Sequence, residues 1–404
     1  MPQRGSRASH TAALLASALA VPALGATVSS SWLGGYGSYT DSTKWSGNVV
    51  PRNTATDQYN VDITASSSVV NLEAQLVTVN QLTLGSGQRL SVNMEFGVGT
   101  PASFRMLQPS TINGTLSNFA ANVRFDGFAT LGSTATLSVS GAVTPYNPAF
   151  TEFYGGGTLA AGGKFSLASS NGSDSYFSFK GGEFISDGTI DCAFSDYSHI
   201  VVDPGATFLQ RGNTTVGNRL VIKGTGFKNT GTISSSTSYA TIYFQNVPVD
   251  NVGTINTSKG GHVAFAGTVS GNGTVSGYSM LQGAMLSPGN SVGHITFSAG
   301  AEFDSTTQYL AELAPGSLAD LISVTGDFNP AGAKLSPTGG VFGETYTIAE
   351  WTGSRTGTFA LQSPNYLVTY NDTSKKAFVT LVPEPGVVSL VAAVALLASR
   401  RTRR

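Results

Sequence analysis

The chain has 404 residues, with 22 Lys and Arg against 23 Asp and Glu, so its formal net charge is −1. Charged residues make up only 11%, where a soluble domain usually carries about 25%, and the 49 glycines exceed the usual share. This composition excludes a helical bundle, a charged disordered chain and the basic footprint of a nucleic-acid binder. The single cysteine, Cys192, excludes a disulfide framework and a cysteine-based zinc site.

Residues 1–26 read as a secretory signal peptide. Arg4 and Arg7 give a positive start, Thr11 to Leu24 is mostly apolar, and Ala23, Gly25 and Ala26 offer a small-residue cleavage site. Residues 27–65 read as an N-terminal cap. Trp32 and Trp45 are plates that would cover a first coil, and Pro51 precedes a first strand at Tyr59–Ile63. The same two rings, if exposed, would instead stack on sugars.

Residues 66–285 alternate apolar and Ser/Thr/Asn residues in pieces of four to seven, as at Leu76–Val79, Leu137–Val139 and Thr241–Phe244. Period two predicts half-buried strands, and Gly or Asn punctuates nearly every gap. A Gly-Thr-aliphatic phrase recurs at Gly114, Gly157, Gly188, Gly231, Gly253, Gly267 and Gly273. Spacings of 43, 43 and 22 fit coils of 21–22 residues, whereas 31, 14 and 6 do not. Repeats near 20 residues built from short strands predict an all-β solenoid, a right-handed parallel β-helix. An antiparallel sandwich array is the alternative. Glycine would supply a turn with positive φ, and the aliphatic residue would point inward.

Residues 286–382 read as a C-terminal β region or cap. They carry Ser287-Pro288-Gly289-Asn290-Ser291, then Asp320-Leu321-Ile322-Ser323-Val324-Thr325-Gly326, then Gly343–Ile348 and Gly357-Thr358-Phe359. In this order the motifs resemble the end of autotransporter-type passenger repeats and of related β-helix proteins. The N-terminal flank resembles the start of exported β-helical repeat proteins of planctomycetes and verrucomicrobia. The membrane barrel that ends autotransporters has no room after residue 382.

The last segment, 383–404, holds Pro383-Glu384-Pro385, a 13-residue apolar run at 387–399, and Arg400, Arg401, Arg403 and Arg404. The run is shorter than the ~17–25 residues that span a bilayer, and the arginines favour the cytoplasmic side. Tripeptide, apolar helix and arginine cluster together resemble the PEP-CTERM sorting signal. That resemblance implies an exosortase-type processing protease, membrane attachment through the helix before processing, and association with exopolysaccharide and biofilm. With both ends removed, 16 basic and 22 acidic groups remain, a net of −6.

Catalytic motifs are absent from the sequence. His199, His262 and His294 form no metal motif, and there is no nucleophile elbow, P-loop or dinucleotide fingerprint. Cys192 sits in an apolar strand, as an inert thiol would. The acid-dense window is Glu183, Asp187, Asp191, Asp196 and Asp203, beside Lys180 and Arg211. Turn chemistry accounts for it, and Asp187 and Asp191 are weak calcium candidates. No cofactor is expected. The sequence therefore predicts an exported, non-enzymatic structural protein of the cell surface or matrix. A polysaccharide lyase or glycosidase on the same fold is one alternative, and an adhesin using Trp32 and Trp45 is the other.

Overall fold

In the computed structural model, the described residues are 26–94, 101–141, 147–169, 173–194, 198–257, 260–289 and 291–383. They form three long sheets of 16, 16 and 12 strands, wound as a β-solenoid of about 12 turns. Each turn from Leu76 to Trp351 lays one short strand on each sheet. Ser198–Val202, Ala206–Gln210 and Asn213–Val216 make one turn, on the third, first and second sheets respectively. Arg219–Gly224, Phe227–Asn229 and Thr232–Ser235 stack on them as the next. Pairing between turns is parallel, as the repeat near 20 residues predicts, and the antiparallel alternative is excluded.

Alternation decides what faces inward. Parallel register puts Ile200, Ile222, Phe244, Phe265 and Leu281 over one another on the third sheet, and all are buried. Rings nest between turns: Phe125, Phe153 and Phe179 stack at 5.1 and 5.3 Å, and Phe179 meets Phe208 at 4.4 Å. Burying each such ring contributes about 1.5–3 kcal/mol, and the pairs add about 0.5–1.5 kcal/mol. Cys192 lies in this core, and burial pushes its thiol up to about 12.

The recurrent Gly-Thr phrase belongs to two different places. Gly188, Gly231, Gly253 and Gly273, with Gly212 between them, form a spine at the corner from the first sheet to the second. Gly157 and Gly267 instead open strands of the first sheet, which is why the spacings look irregular. The spine glycines do not have positive φ, contrary to expectation. They are required by close approach. A Cβ on Gly212 would lie 2.0 Å from the Gly188 carbonyl oxygen, and one on Gly231 would lie 2.1 Å from that of Gly212. Beside the spine runs a buried polar column of Ser186, Gln210, Asn229 and Asn251, in which Asn229 Nδ2 donates to Asn251 Oδ1 at 2.8 Å.

The parallel ladder begins at Ala26 and runs to Leu361, so coils extend through both flanks of the expected 66–285 repeat. Both ends are closed. At the start, Trp32, Tyr39 and Trp45 pack edge to face at 5.0 and 4.9 Å, and Tyr39 reaches Phe104 at 5.7 Å. Trp45 Nε1 donates to the Tyr39 carbonyl and the Tyr39 hydroxyl to that of Pro51. At the end, Thr345–Trp351, Lys376–Leu381 and Tyr366–Asn371 close the second sheet as antiparallel strands. Asp320 ties two of the C-terminal motifs together. Its carboxylate accepts the backbone N–H of Gly293 at 2.7 Å and of Glu312 at 3.0 Å.

Candidate ligand-binding face

The outer face of the second sheet is a lattice of hydroxyls. Its strands repeat a polar-aliphatic-polar triplet: Thr115-Leu116-Ser117, Thr136-Leu137-Ser138, Thr232-Ile233-Ser234, Thr254-Ile255-Asn256 and Thr274-Val275-Ser276. The middle residue is buried, so both flanking residues must face solvent. Parallel register then stacks them into columns. Thr232, Thr254, Thr274 and Thr296 form one, while Thr215, Ser234, Asn256 and Ser276 form the other. Strand geometry spaces these groups about 4.8 Å along the rod and about 6.6 Å across it. No ionisable side chain interrupts either column over these turns.

Earlier on the same face, Lys164 and Asp191 enter the columns and cancel, and Arg89 enters three turns before Lys164, its Nε donating to Ser91 Oγ. Asp191 binds Lys164 across one turn at 2.6 Å. Asp187, at the adjoining corner, binds Arg211 at 2.7 Å. Asp187 and Asp191 therefore serve inter-turn ion pairs, which corrects their reading as calcium candidates. Among the described residues, no three His, Cys, Asp or Glu side chains cluster as metal ligands. The acid-dense window does not converge: Glu183 lies in a strand of the first sheet, Gly182–Ser186, and Asp203 pairs with Lys180 at 2.9 Å. Asp196 lies outside the described residues.

The third sheet carries an external ring stack. Phe150, Tyr176 and His199 lie face to face, each 4.6 Å from the next. The rings cover one another's faces and present edges to solvent. Asp174 holds both the Tyr176 hydroxyl at 2.9 Å and His199 Nε2 at 3.2 Å. Burial lowers the His199 pKa, against the pull of Asp174. Nearby, Arg105 and Arg124 share Asp126 at 2.6 and 2.5 Å, and Arg124 lies 3.8 Å over the Tyr154 ring. The ions of this sheet are thus largely bound to each other. Burial pushes the Asp320 carboxyl up to about 6, but that group is 2% exposed and clamped by backbone N–H donors. It holds two turns together and does not face a cleft.

Trp32 and Trp45 are 2% and 0% exposed. They cannot stack on a sugar, which corrects that reading and leaves the capping role. Of the sorting-signal residues, Pro383 ends the described chain. Glu384, Pro385, Arg400, Arg401, Arg403 and Arg404, and the apolar run 387–399, lie outside it. Among the described residues, no helix is long and apolar enough to cross a membrane. The hydroxyl columns were missed in the sequence because each triplet reads only as a strand. The signal was the identity of the outward residue, Thr or Ser turn after turn. The sequence matches no protein-family model and no curated protein.

Proposed function

We propose that this chain is an exported, non-enzymatic structural protein of the cell surface or extracellular matrix, a stiff rod that holds exopolysaccharide. The observation that carries this is the uncharged hydroxyl lattice of the second sheet. A polymer chain laid on it meets a donor-acceptor group at every turn. Each contact is weak, and affinity comes from their number. Cross-turn ion pairs such as Lys164 with Asp191 and Lys228 with Asp250 neutralise each other on the outer faces, which fits the same reading. The address rests on the sequence alone: a signal-like start and a PEP-CTERM-like end, the latter cut by an exosortase-type protease.

The test is co-sedimentation of the purified protein with exopolysaccharide from the producing cells. Replacing Thr232, Thr254 and Thr274 by Val keeps shape and strand preference while removing three hydroxyls from one column. The expected result is an at least fivefold loss of bound protein with an unchanged melting temperature. Unchanged binding rejects the lattice as the contact face. Intact mass from cells with and without the protease tests the address. A full-length C-terminus in both removes it.

A further inference from the structure

Both hydroxyl columns of the second sheet continue to its C-terminal end, where the charge changes. The first runs from Thr296 to Ser323, then to Glu350 and Lys376. The second runs from Ser276 through Ser298, Thr325 and Thr352, whose N–H groups bond the Val275, Phe297 and Val324 carbonyls of the preceding turns at 2.8, 2.7 and 3.0 Å. Both columns then meet a wall, the turn 372–375 that joins Tyr366–Asn371 to Lys376–Leu381. The Lys375 carbonyl accepts the Trp351 N–H at 3.0 Å, and the Asn371 side chain accepts the N–H groups of Thr373 and Ser374, so the turn is fixed against the sheet.

Between the columns and this turn lies a pocket of about 290 Å³, at the small end of the range of ligand sites. All of its lining belongs to the described residues. Thr325, Thr352 and Ser374 are exposed and bring hydroxyls. The charges are Glu350, Lys375 and Lys376, two cations against one anion. The anion is engaged. Glu350 Oε1 accepts the Ser323 hydroxyl at 2.7 Å, and Ser323 Oγ also lies 2.7 Å from His294 Nε2. Lys376 Nζ stands 3.9 Å from Glu350 Oε2, too far for a hydrogen bond. Lys375 makes no ion pair among the described residues, and the acid of its own turn, Asp372, is held on both oxygens by Arg355 at 3.0 and 2.9 Å. Lys375 also has φ +58°, a conformation that Gly or Asn usually fills, so the turn itself does not explain a lysine there.

We propose that this pocket is the end subsite of the hydroxyl track and binds one acidic sugar, a uronate unit, its carboxylate on Lys375 and Lys376 and its ring hydroxyls on Thr325, Thr352 and Ser374. The proposal rests on the glycan-holding role above and names the sugar class that the charged end of the track selects. The chain as a whole is near neutral, at −1, so the two lysines act through their position and not through a general positive field.

The experiment titrates the full chain with hexagalacturonate, hexamannuronate, maltohexaose and hexaglucosamine. The expected result is binding of at least one hexauronate, weakened by salt, and weaker or no binding of the neutral and cationic hexaoses. Lys375→Gly removes the free ammonium and suits the positive φ, so its melting temperature is expected to be unchanged or higher. Lys376→Gln removes the second charge. Each is expected to lower hexauronate affinity about tenfold, the loss of one charge-assisted hydrogen bond. Lys334→Gln, on the first sheet, is expected to leave it unchanged. No hexauronate binding, preference for maltohexaose or hexaglucosamine, unchanged affinity in both pocket variants, or an equal loss in Lys334→Gln would overturn the proposal. The Thr→Val face variant separates the two claims. If it loses polymer co-sedimentation and keeps hexauronate binding, both stand. If it loses neither, the lattice fails and the pocket stands. If it loses the polymer while no hexauronate binds the wild type, the pocket fails and the lattice stands.

Discussion

Replacing Gly231 by Ala tests why the spine is glycine. The added Cβ would lie 2.1 Å from the Gly212 carbonyl oxygen, whereas an ordinary contact is at least 3.4 Å. The two turns must part by more than an ångström, about a quarter of their ~4.8 Å spacing. That oxygen accepts Thr232 N–H at 3.1 Å, and the Gln210 carbonyl accepts Thr230 and Gly231 N–H at 2.8 and 3.2 Å. Weakening two or three such bonds costs about 0.5–1.5 kcal/mol each, and overpacking alone costs about 1–3 kcal/mol. Stiffening the unfolded chain offsets about 0.4–1 kcal/mol. The net expectation is a destabilisation of about 2–4 kcal/mol. Gly205→Ala is the control. Gly205 has φ +89° and nothing within 4 Å of its Cβ direction, so it costs only about 1–2 kcal/mol of backbone strain. Urea unfolding followed by circular dichroism reads the totals. Hydrogen exchange over 205–256 shows whether the opening is confined to neighbouring turns, as nearest-neighbour coupling requires. A Gly231→Ala cost below about 1 kcal/mol, or below that of Gly205→Ala, refutes the close-approach account.

Trp45→Ala removes a fully buried plate from the N-terminal cap and is expected to cost about 3–5 kcal/mol, read as a lower melting temperature and faster exchange in the first turns. Wild-type stability in that variant would remove the capping role. Asp320 makes stability depend on pH. Its carboxyl titrates near 6 in the fold because burial outweighs two N–H bonds, and near 3.9 when unfolded. Between about pH 4 and 6 the native state therefore holds more protons, so this group's contribution declines as pH rises through that window and is level above it. Unfolding free energies of wild type and Asp320→Asn, compared across pH 3–8, should differ with that slope. A constant difference contradicts it.

The strands and their inward faces were legible in the sequence, because period two is a local property that burial reads directly. Val61, Leu137 and Ile242 are inside for that reason. The solenoid was legible from the Gly-Thr phrase, although the phrase mixed two corners and suggested the wrong role for glycine. Close approach is set by the turn below, about 20 residues away, and no local pattern carries it. The fate of Trp32, Trp45, Asp187 and Asp191 was likewise undetermined. An aromatic caps or stacks, and an acid pairs or binds metal, according to what the neighbouring turn places beside it. The sequence by itself determined the alternation, the low charge and the coil length, which follow from side-chain identity along one strand. Only tertiary structure decided the hydroxyl lattice, because it arises from register between turns.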